Sequence, residues 1–303
     1  MSGASVAVVG SLNLDIVVSV DHHPRPGETV IGGPLFTNQG GKGANQAVAA
    51  ARLGQQVALV GGVGDDDSGR NLLEALNREG VDATHVRVME DEHSGSALIA
   101  VDPEGENTIV VSPGANALVS PDDIYEAGPL LEHAAVTLLQ LEVPLEAVDA
   151  AAKSAGGTVV LNPAPFRGLP DSLLDHVDLL VPNAGELAAL AGEQTSDDLD
   201  DVAEMASRIH GPEAVVVTLG ARGALLASRG SSRRVAAPRV DVVDTTAAGD
   251  CFCGALADAL VRELSFEAAV EWAVRCASLS TTRKGAQPSL PTRAEVEALT
   301  DAE

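Results

Sequence analysis

Short runs of Val, Leu and Ala alternate with longer helical patterns along almost the whole chain. Six runs are nearly continuous in apolar residues and predict buried strands: SVAVVGSL, QQVALVGGVG, AVTLLQLEV, TVVLNPAP, HVDLLVPN and AVVVTLG. Five segments between them have helical spacing: KGANQAVAAARLG, SGRNLLEALNREG, LEAVDAAAKSAGG, DLDDVAEMASRIHG and DCFCGALADALVREL. Strands that are apolar on both faces predict an α/β fold with a doubly wound, mostly parallel sheet and helices on both faces.

Two segments interrupt this alternation because neither contains a helix that could connect parallel strands. They are Ile16 to Phe36 and Gly95 to Val111, and the second predicts a hairpin with DPEGEN as its turn. We interpret them as a small antiparallel sheet outside the core, serving as a lid, a dimer surface or both. A purely structural hairpin on the core edge is the alternative. The predicted boundaries are 1–12, 37–94 and 112–303 for the core with the nucleotide and catalytic site, and 13–36 and 95–111 for the β lid.

Charge and composition exclude several classes of function. The net charge of −25 repels nucleic acids and anionic membranes, and aromatic residues, at 2% of the chain, are too few for base stacking. A phosphate site in this chain therefore needs a local positive group or a metal ion. Cys251, Cys253 and Cys276 lack CxxC spacing, which favours buried apolar roles over a disulfide or zinc site. The N-terminus lacks the basic region of a signal peptide, and no apolar run is long enough to span a membrane, so we expect a cytoplasmic protein.

Polar residues collect where the predicted strands end. In an open α/β sheet these ends form the ligand-binding edge, so the group predicts one site. Its members are Asn13, Asp15, Asn162, Asn183, Glu186, Thr218 and Gly220. The segment GGKGAN lacks the P-loop spacing, GGVGDDD does not complete GxGxxG, and GxSxG is absent. A nucleotide site, if present, is therefore neither of the P-loop nor of the dinucleotide type.

The stretch DTTAAGDCFCGALADAL places small residues directly before an apolar helix. The N–H groups of Ala247, Ala248 and Gly249 are expected to point outward at the helix N-terminus, where they can bind an anion. Asp250 lies in the first turn, and the helix dipole favours its ionised form. A weakly basic carboxylate suits phosphoryl transfer because the proton of the nucleophile leaves late. An ordinary helix-capping Asp is the alternative interpretation.

The same stretch, DTTAAGDCFCGAL, resembles the C-terminal signature of the ribokinase-like carbohydrate kinases, the PfkB group. GGKGANQAVAAARLG resembles the N-terminal signature, and GSLNLD, PRPGETV, LNPAP, VTLGARG and TRKGAQPS also match, in the family's order. The resemblance extends from about Val6 to about Pro291. Two motifs, NQGGKGANQ and TRKGAQPS, are most similar to the ribose-specific members of the family.

The resemblance implies that the chain transfers the γ-phosphoryl group of ATP to O5 of D-ribose, giving D-ribose 5-phosphate and ADP. Asp250 would accept the proton of the sugar's primary hydroxyl, and Ala247, Ala248 and Gly249 would form the anion hole. The implied sugar ligands, besides Asp250, are Asn13, Asp15, Gly40, Gly41, Lys42, Asn45 and Glu142.

The resemblance also implies nucleotide and cation sites. The implied nucleotide residues are Asn183, Thr218, Gly220 and Gly223, together with Ala248 and Gly249. Glu186 would orient Mg²⁺ through water molecules. The implied K⁺ ligands are Asp244, Thr246, Ser280, Arg283 through its carbonyl, Gly285 and Ser289. Three positions depart from common family patterns: Ala247, Thr246 and Val274, of which the last two bear on nucleotide affinity and base preference.

The lid of such kinases closes over the sugar and pairs two subunits, so the resemblance implies a homodimer formed through the lid. Two alternatives remain open at this point. One is a sister kinase acting on deoxyribose, fructose, 2-keto-3-deoxygluconate or adenosine. The other is a non-catalytic sugar-binding regulator on the same scaffold, although an intact Asp250 argues against it. A dinucleotide oxidoreductase is disfavoured because its glycine fingerprint is missing.

Overall fold

A computed structural model describes residues 4–228 and 230–300. Residues 1–3, 229 and 301–303, which the predicted core boundaries include, lie outside the described residues. The strands are β1 Val6–Val9, β2 Asn13–Ser19, β3 Leu35–Gly40, β4 Val57–Gly64, β5 Val81–Met89, β6 Gly95–Val101, β7 Asn107–Ser112, β8 Val136–Leu139, β9 Thr158–Leu161, β10 Leu179–Leu180, β11 Ala214–Thr218, β12 Ala224–Ser228 and β13 Ser231–Val235.

The α-helices cover the large sheet and connect its strands. They are α1 Lys42–Arg52, α2 Asp67–Arg78, α3 Pro121–Glu126, α4 Gly128–His133, α5 Leu145–Ser154, α6 Asp171–Leu174, α7 Ala184–Ala191, α8 Leu199–Ser207, α9 Ala248–Val261, α10 Phe266–Ser280 and α11 Arg293–Thr300. All six predicted strands and all five predicted helices are present. The sequence analysis did not identify β5, β12, β13 or the helices α3, α4, α6, α7, α10 and α11. None of the described helices combines the length and the apolar character needed to cross a membrane.

Nine strands form the large sheet in the order β13-β12-β11-β10-β9-β8-β1-β4-β5. The pairs from β10·β11 to β4·β5 are parallel, and β12 and β13 add an antiparallel edge. The chain proceeds outward from β1 through β4 and β5, then returns to β8 and proceeds outward on the other side. The point of reversal, between β1 and β8, is where an open α/β sheet binds its ligand.

Side chains of the large sheet alternate between two apolar layers. In β1, Val6 and Val8 pack into the layer beneath α1, α9 and α10, whereas Ala7 and Val9 pack into the layer beneath α5 and its neighbours. Burial on both faces explains why this strand is apolar at every position. The predicted doubly wound α/β fold is thereby confirmed.

Four strands form the small sheet in the order β3-β2-β6-β7. Its outer pairs, β2·β3 and β6·β7, are antiparallel as predicted, and residues 102–106 form the turn of the second pair. The two inner strands, β2 and β6, are parallel to each other. This differs from a fully antiparallel sheet because each inner strand leaves the core separately and in the same direction. β3 continues to Gly40 and β7 to Ser112, beyond the segments assigned from the sequence.

Candidate active site

Three segments meet at the reversal point between β1 and β8. The Ser11 hydroxyl, two residues after β1, donates a hydrogen bond to Oε2 of Glu142, three residues after β8. The backbone N–H of Lys42, the first residue of α1, donates to the same oxygen at 3.0 Å. Glu142 therefore holds the loop after β1, the loop after β8 and the start of α1 together.

Glycines allow the chain before α1 to approach the first strand of the small sheet. Gly41, with φ of 88°, would place a Cβ atom only 2.8 Å from the backbone nitrogen of Asn13. A Cβ atom on Gly40 would lie 2.2 Å from Oδ2 of Asp15. Larger residues at either position would push the backbone away from Asn13 and Asp15.

Asn45 connects this group to Asp250. Its Nδ2 donates to Oδ2 of Asp250 at 3.0 Å, and the side chain is 6% exposed. Its Oδ1 is buried and has no hydrogen-bond partner among the described residues. A buried acceptor without a partner costs free energy, and a hydroxyl group of a bound ligand would remove that cost.

Asn116 orients Asn13, and the sequence analysis did not identify it. Its side chain accepts from the Leu12 N–H at 3.0 Å and donates to the Leu12 carbonyl at 2.9 Å and to Oδ1 of Asn13 at 2.8 Å. Because Oδ1 of Asn13 accepts that hydrogen bond, the side-chain NH₂ group of Asn13 points away from Asn116. No local pattern marks Asn116, since its partners lie more than a hundred residues away in sequence.

Asp15 has a strongly perturbed acidity. Burial raises its pKa, and the carboxylates of Glu142 and Asp250 raise it further, to about 7 from an ordinary value of 3.8. A carboxyl group in this state can both accept and donate hydrogen bonds near neutral pH.

Lys42 places a local positive group at this site, one of the two devices, with a metal ion, that the acidic composition calls for. The nearby carboxylate of Asp250 raises the pKa of Lys42, burial opposes this, and Glu142 and Glu186 raise it further. The ammonium group therefore stays charged. It stands among acidic residues at the point where an anionic ligand would otherwise be repelled.

Helix α9 begins without a side-chain cap among the described residues. Ala247 precedes it in the left-handed conformation, with φ of 57°, which is strained for a residue with a Cβ atom. The Ala248 N–H was expected to point outward but instead donates to the Thr245 carbonyl at 3.2 Å, because the preceding residues form a turn. This leaves Gly249 and Asp250 to present the remaining N–H groups of the first turn. Asp250 itself is buried, at 6% exposure.

A cavity of about 160 Å³ opens at this helix start. Its lining brings together residues predicted for the sugar, the reaction, the nucleotide and magnesium, namely Lys42, Asn183, Glu186, Thr218, Ala247, Ala248, Gly249 and Asp250. The Asp250 carboxyl, the Lys42 ammonium and a helix N-terminus thus line one cavity.

Asn183 and Glu186 form a capping box at the start of α7. The side chain of Asn183 accepts from the Glu186 N–H at 2.8 Å, and Oε2 of Glu186 accepts from the Asn183 N–H at 2.8 Å. Burial raises the pKa of Glu186, although the hydrogen bond from Asn183 and the charge of Lys42 oppose this. Capping of α7 and a place in the cavity are therefore compatible for this pair.

The predicted nucleotide loop follows β11. Gly220 begins a 3₁₀ turn, and Gly223, with φ of 91°, would place a Cβ atom 2.0 Å from the Val235 carbonyl. Val274, on α10, borders a cavity of about 400 Å³ beside the end of β13. This loop and α10 thus both lie next to the end of β13.

Comparison with known proteins places the chain in a family. A family model described as "pfkB family carbohydrate kinase" matches residues 4–293. The chain belongs to the pfkB family of carbohydrate kinases. A ribokinase of Haemophilus influenzae is 42% identical over 296 residues, covering 96% of this chain and 96% of that protein. A deoxyribokinase of Salmonella typhimurium is 39% identical over 292 residues, covering 94% and 95%. The structure of Arabidopsis thaliana ribokinase complexed with ribose and ATP superposes with a TM-score of 0.88 at 35% identity, covering 98% of each chain.

In this pfkB kinase, part of the predicted K⁺ site forms a hydrogen-bonded group. Oδ1 of Asp244 accepts from the N–H and hydroxyl of Thr246 at 2.9 and 2.6 Å, and Oδ2 accepts from the Gly285 N–H at 2.8 Å. Burial alone would raise the pKa of Asp244, but these hydrogen bonds lower it below its ordinary value. The hydroxyls of Ser280 and Ser289 are buried and donate to nearby carbonyls, which leaves their oxygen lone pairs as acceptors.

Arg283 is predicted to bind K⁺ through its backbone carbonyl. In this pfkB kinase its side chain makes a separate contact. Its guanidinium donates to Oε1 of Glu295 on α11 at 2.7 Å. Hydrogen bonds from the N–H groups of Val243 and Asp244 to the Thr281 carbonyl join the two segments that carry the predicted ligands. Neither this link nor the Glu295 contact has a recognisable motif in the sequence.

Proposed function

We propose that this chain transfers the γ-phosphoryl group of ATP to O5 of D-ribose, with Asp250 as the general base. The observation that carries the proposal is the position of Asp250. It is buried at the start of α9, in one cavity with Lys42, and is hydrogen-bonded to Asn45 of the proposed sugar site. Similarity over nearly the whole chain to proteins named ribokinase supports the choice of sugar.

The proposed sugar site offers the groups that a furanose requires. Hydroxyl groups donate to carboxylates and amide oxygens and accept from amide N–H groups, and vicinal hydroxyls do so in pairs. Asp15 and Glu142 supply carboxyl oxygens, and Asn45 has a buried acceptor without a partner among the described residues. Asn13 has its amide orientation fixed from behind by Asn116. The backbone of Gly40 and Gly41 closes one side.

The proposed reaction is an in-line displacement. O5 of ribose forms a bond to the γ-phosphorus, the bond from that phosphorus to the β,γ-bridging oxygen breaks, and the O5 proton passes to the Asp250 carboxylate. ADP leaves with the electron pair. The N–H groups at the start of α9 and the ammonium of Lys42 stabilise negative charge on the transferring group.

Mg²⁺ is the divalent ion expected in such a reaction. Glu186 fits this role because it is a partly buried carboxylate lining the same cavity, with Oε2 engaged in the capping box. The ion would neutralise phosphate charge, and it usually keeps several water molecules when protein carboxylates bind it. Glu186 would then orient that hydrated ion rather than enclose it.

The proposed K⁺ site rests on an oxygen-only donor set around Asp244. A lowered pKa keeps Asp244 ionised, and hydroxyl and carbonyl oxygens lie in the adjoining segments. Oxygen donors of this kind suit a hard cation. The site adjoins the turn leading to Ala247, so a bound cation would order the loop before α9.

We expect Asp244→Asn to reduce activation by K⁺ several-fold, because the carboxylate charge is lost while its shape is retained. Turnover is measured in KCl and in choline chloride at equal ionic strength, and thermal unfolding is followed against KCl concentration without nucleotide. Asp241→Asn is the matched control, since Asp241 is exposed on the same segment. Equal K⁺ activation and equal K⁺-dependent stabilisation in the Asp244 variant and the parent would contradict the assignment.

The lid is proposed to pair two subunits. Its side chains Leu35, Leu98 and Val110 are 62%, 54% and 61% exposed, and every residue of β7 is exposed. An apolar surface with an open strand edge is typically covered by a partner. We expect Leu98→Asp to convert a dimer to a monomer in light scattering after size exclusion. Val88→Asp, at a residue 49% exposed on the core sheet, should leave the dimer intact. A monomeric parent would refute the proposed pairing.

The substrate is tested by ADP release from Mg·ATP in the presence of K⁺. Ribose, 2-deoxyribose, fructose, 2-keto-3-deoxygluconate and adenosine are compared at equal concentration. A preference for ribose confirms the proposal. 2-Deoxyribose is the nearest alternative because a protein named deoxyribokinase has similar identity. A preference for 2-deoxyribose would retain Asp250 as base and overturn the choice of sugar. No ADP release with any of the five compounds would overturn the kinase proposal.

A further inference from the structure

Gln46 contacts the second oxygen of the proposed general base. It lies in the first turns of α1 and is fully buried, at 0% exposure. Its Nε2 donates to Oδ1 of Asp250 at 3.2 Å and to Oδ1 of Asn162 at 3.3 Å. Its Oε1 accepts from Nε2 of Gln140 at 2.7 Å. Each polar atom of this amide therefore has a partner.

The surroundings fix which way the Gln46 amide points. The Nδ2 of Asn162 donates to the Val181 carbonyl at 2.9 Å, so Oδ1 of Asn162 must face Gln46. Asp250 also presents an acceptor. A reversed amide would set the Gln46 oxygen against both of these oxygens, which is unfavourable because none of the three can donate. On the other side of Gln46, Nε2 of Gln140 is a hydrogen-bond donor, so it must face the oxygen of the Gln46 amide.

Gln140 is an unusual side chain to find at its position. It follows β8, is fully buried, and has an Oε1 atom without a hydrogen-bond partner in the described part of the chain. Room for it depends on Gly10, where a Cβ atom would lie 2.0 Å from that Oε1. An apolar residue of similar size would fill the space without burying an unpaired oxygen. Unlike an apolar residue, however, the Gln140 amide donates a hydrogen bond to Gln46.

We infer that Gln46 is a positioning residue for Asp250, and that Gln140 is a positioning residue for Gln46. Asn45 binds one carboxylate oxygen of Asp250 and Gln46 binds the other, so rotation of the carboxylate is restricted at both atoms. This presents the carboxylate to the sugar hydroxyl in a fixed orientation before the substrate arrives. The inference rests on the proposed reaction, in which Asp250 is the base.

Methionine replacements test both roles because they keep the length of the side chain and remove the amide. We expect Gln46→Met to lower kcat roughly 10- to 100-fold with little change in the KM for ribose, since misorientation of a reacting group costs up to about 100-fold. Gln140→Met should lower kcat less. The double variant should match Gln46→Met alone, because Gln140 acts through Gln46. Gln140→Met also keeps the test open if Gln46→Met fails to fold.

A cycle with Asp250→Asn separates positioning from a general structural effect. If Gln46 acts through Asp250, Gln46→Met should cause no further loss of kcat in the Asp250→Asn background. A purely structural defect would lower the residual rate again by the same factor. Thr137→Val is the control, since Thr137 is equally buried in β8 and has a hydroxyl without a partner among the described residues. It should leave kcat unchanged.

Each result has a defined meaning. A parent that phosphorylates ribose, with Gln46→Met and Gln140→Met both at parental kcat, overturns the positioning roles and leaves the proposed function intact. An additive loss in the Asp250→Asn background also overturns them. A parent without sugar-dependent ADP release overturns the proposed function and this inference together.

Discussion

Replacement of Asp250 by Asn should lower kcat for ribose phosphorylation by roughly 10²- to 10⁴-fold, the range that a general base contributes. The amide cannot accept the O5 proton at neutral pH. It retains one acceptor oxygen of the two that Asn45 and Gln46 now use. One of these two hydrogen bonds is therefore preserved and the side-chain shape is kept, so ribose binding should weaken much less than turnover.

Two measurements separate these effects. Steady-state kinetics gives kcat, and calorimetric titration of the nucleotide-free variant gives the affinity for ribose. Asp67→Asn is the control, because Asp67 also lies in the first turn of a helix but is exposed on α2. It should behave as the parent does. An Asp250→Asn variant within tenfold of the parental kcat would show that another group accepts the proton.

Six strands of the large sheet are predictable from the sequence because burial on both faces gives them a continuous apolar pattern. Strands that are buried on one face only, or exposed at an edge, lack this continuous apolar pattern. β13, with the sequence SSRRV, is exposed at four of five positions, and β5 alternates polar and apolar residues. Their place in the sheet is set by pairing with β12 and β4, which is a tertiary effect.

The small sheet shows a similar division. The hairpin of β6 and β7 is local and follows from the turn residues at 102–106. The parallel pairing of β2 with β6 joins strands some eighty residues apart in sequence, and it depends on where each strand leaves the core. Pairing of this kind has no local signal.

The candidate site is predictable where a motif carries it and not where long-range packing does. Asp250, Lys42 and Glu186 stand in recognisable segments, and the structure lines one cavity with them. Asn116 and Gln140 do not line this cavity but hydrogen-bond to residues of the site. Their partners, Asn13 and Gln46, lie 103 and 94 positions away in the sequence. An isolated buried amide looks like any other polar residue in the sequence, so only the folded arrangement reveals what it orients.

The second large effect concerns Asp15, whose carboxyl destabilises the ligand-free protein at neutral pH. Its pKa is about 7 in the folded chain against an ordinary value of 3.8, so between these values the folded state holds a proton that the unfolded state has lost. Stability contributed by this group is therefore full below about pH 4 and is lost as the pH rises towards 7. The shift corresponds to an upper limit of about 4 kcal/mol, and partial solvent access to Asp15 reduces it, to an expected ~1–2 kcal/mol.

Asp15→Asn removes this penalty and a proposed sugar ligand at once. We expect the variant to melt a few degrees above the parent at pH 8 and at nearly the same temperature at pH 4.5, since ~1–2 kcal/mol shifts Tm by a few degrees in a protein of this size. Ribose affinity should fall by roughly 10- to 100-fold through loss of a charged acceptor. Asp21→Asn, at an exposed position, should change neither quantity. Equal pH dependence of unfolding in the Asp15 variant and the parent would show that the Asp15 carboxyl is ionised in the folded protein. A stabilised variant that has lost ribose affinity would show that the carboxyl is kept at a cost in stability because it binds the sugar.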